Sequence, residues 1–129
     1  MKYIFSLLIL ILLHSCYYDN ADELNPGTEP CDTTGVVSFS ADILPIMLHN
    51  CGSQNDACHS STGSQSNYGL DSYSSVISTI NSSGTFIKTI THDPTISSSK
   101  WMPLNSNAKI SECNIQKIHA WLNRGLPNN

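Results

Sequence analysis

Five cysteines constrain the fold of this 129-residue chain more than any other feature, because its N-terminus predicts export. Lys2 supplies a positive start, and an apolar run follows from Ile4 to Leu13. A run of this kind is typical of a secretory signal peptide and is too short to cross a bilayer as a helix. Exported proteins enter an oxidising compartment, where thiols are normally paired or ligated. We therefore expect a fold that gives each cysteine a partner.

The first cysteine directly follows the apolar run. The string Leu13-His14-Ser15-Cys16 resembles a bacterial lipobox, which implies that residues 1–15 are removed and that Cys16 becomes the lipidated first residue. Buried acyl methylenes contribute about 0.8 kcal/mol each, so several chains hold a protein on a membrane. The resemblance implies a lipid-anchored protein of the periplasm or cell surface, with the outer membrane expected. The alternative is an ordinary signal peptide and an incidental Cys16.

Charge separates the remaining chain into two parts. Residues 16–35 carry acidic side chains without a matching base and also contain Pro26, Gly27 and Pro30, so we predict an acidic flexible tether. Residues 36–129 are predicted to form one domain, in which five acidic residues face five basic ones. No basic patch is available to meet phosphates, which argues against nucleic acid as a partner.

Short apolar stripes at helical spacing predict a mainly α domain with long loops. No segment shows convincing strand alternation, and the clearest stripe, which includes Ile118 and Trp121, lies near the C-terminus. Helices are predicted from Ser40 or Asp42 towards Cys51, over 70–80, over 86–90 and from Ser111 to Gly125, with loops at 52–67 and 95–107.

These apolar faces are thin for the size of the domain. Small domains bury too little surface to be secure on a hydrophobic core alone, and they usually add a disulfide, a metal or a cofactor. With Cys16 lipidated, Cys31, Cys51, Cys58 and Cys113 remain, and four cysteines allow three pairings. A large planar cofactor would also supply apolar interior.

The most specific local motif is a cysteine pair that ends in histidine. Cys51 precedes Cys58-His59 by a polar spacer that begins with Gly52, and the motif resembles the attachment site of c-type haem. Two thiols form thioethers with the haem vinyl groups, and the adjacent imidazole binds the iron. The spacer has six residues where ordinary sites have two. We expect it to bulge outward and return Cys58 to the haem edge.

Other segments extend this resemblance in the same order along the chain. The segment from Val37 to Cys51, the loop with Trp101-Met102-Pro103, and the terminal helix from Ile115 to Gly125 resemble parts of small class I c-type cytochrome domains. The resemblance covers residues 36–129. It implies a small cytochrome c-like helical domain.

The resemblance also implies roles for particular residues. Cys51 and Cys58 would attach haem c, while His59 and Met102 would be the two axial ligands of its iron. Ligation by Met and His leaves no open coordination position, which suits electron transfer better than oxygen chemistry. The implied protein is a monomeric electron carrier with a redox partner protein, and not an enzyme. Cys31 and Cys113 would form a disulfide.

Simpler interpretations remain open for the same residues. Cys51 and Cys58 could form a disulfide that closes a surface loop, which would make the protein a haem-free lipoprotein with a binding or structural role. Zinc fits the spacing less well. Met102 could be a core methionine. The alternative ligands are then His49, His92 and His119, of which His92 is the best substitute. No catalytic motif appears, and the carboxylates of Asp42, Asp71 and Glu112 are interpreted as helix-start residues.

Overall fold

The computed structural model describes residues 31–52, 58–104, 106 and 108–129. The predicted signal peptide, the predicted lipidation site Cys16 and most of the predicted tether lie outside these ranges. Within them the chain is mainly α and contains no strand, which confirms the predicted fold class. The elements are a π-helical turn (Phe39–Ile43), α1 (Leu44–Asn50), α2 (Tyr73–Ser83), α3 (Phe86–Ile90) and α4 (Glu112–Asn123), with 3₁₀ turns at Ser66–Tyr68 and Ser98–Lys100.

The first helical stretch begins earlier than predicted. Ser38, rather than Ser40 or Asp42, is the N-cap, and its hydroxyl accepts a hydrogen bond from the Ala41 N–H at 3.3 Å. The carboxylate of Asp42 reaches back to accept the Ser38 N–H at 2.9 Å, so the two residues cap the turn reciprocally. The predicted cap was wrong because Asp42 satisfies the helix start from inside its first turn.

A capping box places the start of α2 at Tyr73 rather than at residue 70. The Ser72 hydroxyl accepts the Ser75 N–H at 3.3 Å, and the Ser75 hydroxyl accepts the Ser72 N–H at 3.0 Å. Asp71, just outside the helix, accepts the Ser61 N–H at 2.6 Å and the Ser75 hydroxyl at 3.0 Å. The bond from Ser61 is the main reason why the pKa of Asp71 lies below its usual value. Asp71 thereby holds the loop that precedes α2 against the start of that helix.

The last two helices agree closely with the sequence prediction. Helix α3 covers 86–90, and Ser111 caps α4 by accepting the Asn114 N–H at 3.2 Å. The chain leaves α4 through Gly125, whose φ of +82° lies in the left-handed region that favours glycine. Both ends of α4 therefore follow from the residues that the sequence places there.

Helix α4 packs its apolar face against the π-helical turn. Trp121 is fully buried, and its ring centroid lies 5.6 Å from that of Phe39, which in turn lies 5.1 Å from Tyr73. Lys117 on α4 forms an ion pair with Asp42 at 3.0 Å. The buried hydrophobic side chains of the described residues are Val37, Phe39, Ile43, Ile46, Met47, Leu70, Val76, Phe86, Ile90, Ile110, Ile115, Ile118 and Trp121.

A disulfide joins Cys31, the first described residue, to Cys113 in the first turn of α4, with Cα atoms 5.1 Å apart. It is the pairing that the cytochrome resemblance implies. The side chain of Arg124 adds a hydrogen bond to the Thr33 carbonyl at 2.7 Å. The end of the predicted tether is thus fixed along α4. None of the helices in the described ranges is long and apolar enough to cross a membrane.

Candidate functional site

A cavity of about 730 Å³ lies beside the core, a volume within the usual range for ligand sites of roughly 300–1,000 Å³. Its wall brings together Cys51, Cys58, His59 and Met102, all four of the residues predicted to bind a cofactor. The wall is formed by the end of α1, the loop before α2, the C-terminal part of α2, most of α3 and the loop around residues 99–104. Elements far apart in sequence therefore converge on one space.

His59 is half-buried in the cavity wall, and its backbone is fixed on both sides. Its N–H donates to the Gly52 carbonyl at 3.2 Å, and its carbonyl accepts the Leu70 N–H at 2.8 Å. The ring Nδ1 lies 2.9 Å from the Tyr68 carbonyl oxygen. Because a carbonyl can only accept, Nδ1 must carry the proton, and the neutral ring then keeps its lone pair on Nε2. A backbone partner at one nitrogen is how a metal-binding histidine is commonly oriented.

The two cysteines before His59 differ in their surroundings. Cys58 is exposed, whereas burial raises the pKa of Cys51 to about 11, and neither residue is in a disulfide. The bond between the Gly52 carbonyl and the His59 N–H closes the base of the spacer. Gly52 has a φ of +61°, a conformation that glycine adopts without cost. Gly52 and His59 therefore lie next to each other in the cavity wall, and residues 53–57 are outside the described ranges.

These surroundings predict a difference in thiol reactivity. In haem-free protein with both thiols reduced, iodoacetamide should modify Cys58 much faster than Cys51 at pH 8. The thiolate is the nucleophile, and a pKa near 11 lowers its population roughly 100-fold relative to an ordinary thiol. Peptide mass spectrometry over time measures both rates. Raising the pH to 10.5 should strongly accelerate the modification of Cys51, and equal rates for the two cysteines at pH 8 would contradict the buried position of Cys51.

Met102 is half-buried and held through its backbone. Its N–H donates to the Thr89 carbonyl on α3 at 3.1 Å, and its carbonyl oxygen lies 3.0 Å from Nε2 of His92. A cis peptide bond links Met102 to Pro103. The backbone N–H and carbonyl of Met102, the residue that carries the thioether, are therefore both hydrogen-bonded.

Histidines other than His59 do not reach the cavity within the described ranges. His49 and His119 are exposed and do not line it. His92, the best substitute ligand by sequence, is absent from the wall and has its Nε2 engaged by the Met102 carbonyl. The structure thus separates His59 from the alternatives.

Several other groups in the wall were not predicted as part of the site from the sequence. The Tyr68 carbonyl orients His59, but any residue type would provide it. Phe86 and Ile90 contribute apolar surface from one face of α3, which their helical spacing does indicate. Ser83 lines the cavity with a buried hydroxyl that has no hydrogen-bond partner among the described residues. An unpaired buried hydroxyl is costly unless a bound group or water satisfies it.

No group of three or more His, Cys, Asp or Glu side chains that could hold a metal ion occurs among the described residues. A haem iron makes a smaller demand on the chain, because the macrocycle supplies four of its ligands and the protein only the axial ones.

Neither a family model nor a curated protein nor a solved structure matches the chain significantly.

Proposed function

We propose that the protein is a membrane-tethered monohaem c-type cytochrome that carries out electron transfer. The observation that carries the proposal is the convergence of Cys51, Cys58, His59 and Met102 on one largely apolar cavity. These residues come from three separate segments of the chain, and the order of those segments resembles that of small class I c-type cytochromes.

The side chains that line the cavity fit the chemistry of an attached haem. Cys51 and Cys58 are free to form thioethers, and a thioether sulfur suits the buried position of Cys51 because it carries no charge. His59 offers Nε2, since Nδ1 is committed to the Tyr68 carbonyl. Met102 offers a soft sulfur. Bound haem would supply an iron that accepts and releases one electron.

Axial ligation by His59 and Met102 would decide what kind of redox chemistry is possible. If His59 and Met102 both held the iron, oxygen or peroxide would find no free ligand position, and methionine ligation would raise the reduction potential. The buried faces of Phe86 and Ile90 keep water from that part of the wall. A carrier that exchanges electrons with a redox partner protein therefore fits better than a catalyst.

The N-terminal segments complete the proposal. Lipid on Cys16 would hold the protein on a membrane, in the outer membrane by expectation, and residues 16–30 would form the free part of the tether. A fully extended segment from Cys16 to Cys31 spans at most about 50 Å. Because the disulfide to Cys113 fixes Cys31 beside α4, this length sets the distance between α4 and the membrane. The domain would therefore find its partner within a limited distance of the membrane.

The first test is intact mass combined with an absorption spectrum. Full-length protein is matured in a host that attaches c-type haem, then denatured and weighed. We expect the mass of one haem to remain after denaturation, together with sharp bands in the reduced spectrum. A colourless protein lighter than its reduced chain by the hydrogens of two disulfides would refute the proposal and support the haem-free lipoprotein with a Cys51–Cys58 disulfide.

Replacing Met102 tests the distal ligand. M102L is expected to lower the reduction potential by on the order of 0.1 V and to change the spectrum, because axial ligands set haem potentials over a wide range. M47L is the matched control, since Met47 is fully buried in α1 but does not line the cavity. Redox titration of both variants gives the comparison. Equal potentials for M102L and M47L would show that Met102 is not a ligand.

A further inference from the structure

We infer that His92 is a positioning residue that fixes Met102 in the cavity wall. The inference rests on the proposed function, because it assigns His92 a task in ligand placement. His92 does not line the cavity, so it would act only through Met102. This role differs from that of a substitute iron ligand.

The direction of the hydrogen bond follows from its chemistry. Nε2 of His92 lies 3.0 Å from the Met102 carbonyl oxygen, which has no proton to give. Nε2 must therefore carry the proton and donate it, in either the neutral Nε2–H tautomer or the charged ring. A histidine that donates through Nε2 in this way cannot bind a metal with the same nitrogen.

The ring of His92 is itself held in place. It stacks on Trp101, with ring centroids 4.9 Å apart and an angle of 6° between the planes. The Trp101 indole N–H donates to the Asp93 carbonyl at 3.2 Å, so the stacking partner is anchored beside His92. His92 also adopts a φ of +55°, which residues other than glycine seldom use. Such a conformation persists where the surrounding contacts require it.

Met102 is consequently held from two directions. Its N–H donates to the Thr89 carbonyl on α3 at 3.1 Å, while its carbonyl receives the proton of His92. Thr89 lies in α3 and His92 lies two residues after its end, so both contacts fix Met102 relative to the same helix. Loss of the hydrogen bond from His92 would leave the Met102 carbonyl unbound, and Met102 would then be held only through its N–H.

Two variants at the same position isolate this hydrogen bond. H92F keeps an aromatic ring for stacking on Trp101 but removes the donor, whereas H92Q keeps an amide donor near the position of Nε2. Both place a side chain with a Cβ at a positive φ, so the backbone cost is similar in the two variants. H119F is the control for an exposed histidine remote from the cavity wall.

The readout in haem-loaded protein is the affinity for added imidazole, which competes with Met102 for the iron. A weakened hold on Met102 makes that competition easier. We expect H92F to bind imidazole about two- to tenfold more tightly than the wild type, the range that one hydrogen bond accounts for. H92Q and H119F should stay within about twofold. An unchanged H92F, or an equal change in H92F and H92Q, would overturn the inference.

The second readout needs no haem and separates the two proposals. In haem-free protein, the exchange rate of the Met102 amide proton with deuterated water reports how firmly the Met102 segment is held. H92F should speed that exchange about two- to tenfold, and H92Q should not. Colourless protein with this exchange pattern would remove the electron-transfer function but keep the positioning role. Equal exchange in wild type and H92F would remove the positioning role, whatever the colour of the protein.

Discussion

Replacing both Cys51 and Cys58 with alanine is expected to abolish covalent haem attachment and leave the domain folded. Each thiol would form one thioether, so the double variant has no bond that survives denaturation, whereas either single variant keeps one. Truncating Cys51 should cost only about 1 kcal/mol of stability, because one sulfur atom is removed. Haem staining of a denaturing gel, with circular dichroism for the fold, measures both effects.

The other cysteine pair provides a matched control for this experiment. C31A/C113A also removes two sulfurs, but neither residue lines the cavity, so this variant should keep its covalent haem. If C51A/C58A still carried haem after denaturation, attachment would have to occur elsewhere in the chain. If C31A/C113A lost its haem while circular dichroism still showed a folded domain, the assignment of the two cysteine pairs would be reversed.

C31A/C113A has the second large expected effect, a loss of about 4 kcal/mol in the free energy of unfolding. The disulfide spans a sequence separation of 82 residues, and in the chain-entropy model a long closed loop restricts the unfolded chain strongly. Small domains have only about 5–15 kcal/mol of stability in total. Urea unfolding followed by circular dichroism should therefore show a midpoint far below that of the wild type.

A smaller change at the same place shows whether the disulfide itself is responsible. R124Q removes the hydrogen bond from Arg124 to the Thr33 carbonyl and leaves the disulfide intact. We expect this variant to lose about 1 kcal/mol or less, since the group is exposed. A midpoint for C31A/C113A no lower than that of R124Q would show that the disulfide contributes little.

The positions of the helices could be predicted from sequence more reliably than their first residues. Apolar spacing located the four α-helices of the described residues but not the 3₁₀ turns at Ser66–Tyr68 and Ser98–Lys100, which begin in predicted loops. Ser111 and Gly125 defined both ends of α4. The first helical stretch was misplaced because its cap combines the Ser38 hydroxyl with a carboxylate inside the turn. Several serines and acids near a helix start offer competing caps, and only the packed chain selects one.

The cavity shows a similar division between side chains and backbone. Motif order and chemistry led to the four wall residues that could bind haem, because thiol, imidazole and thioether groups are rare and distinctive. The groups that orient them could not be predicted. The Tyr68 carbonyl has no residue signature, and the contact between His92 and the Met102 carbonyl depends on a positive φ at His92. Tertiary structure, not local pattern, determines such contacts.

The closed base of the spacer has a consequence for insertions. Since the Gly52 carbonyl already accepts the His59 N–H, residues added between Gly52 and His59 would enter an interval whose two ends are bonded to each other. Doubling the length of a flexible loop costs only about 0.6 kcal/mol. We therefore expect the folded domain to tolerate spacers of very different length between Cys51 and Cys58. The length would instead be limited by any enzyme that must bind both cysteines at once.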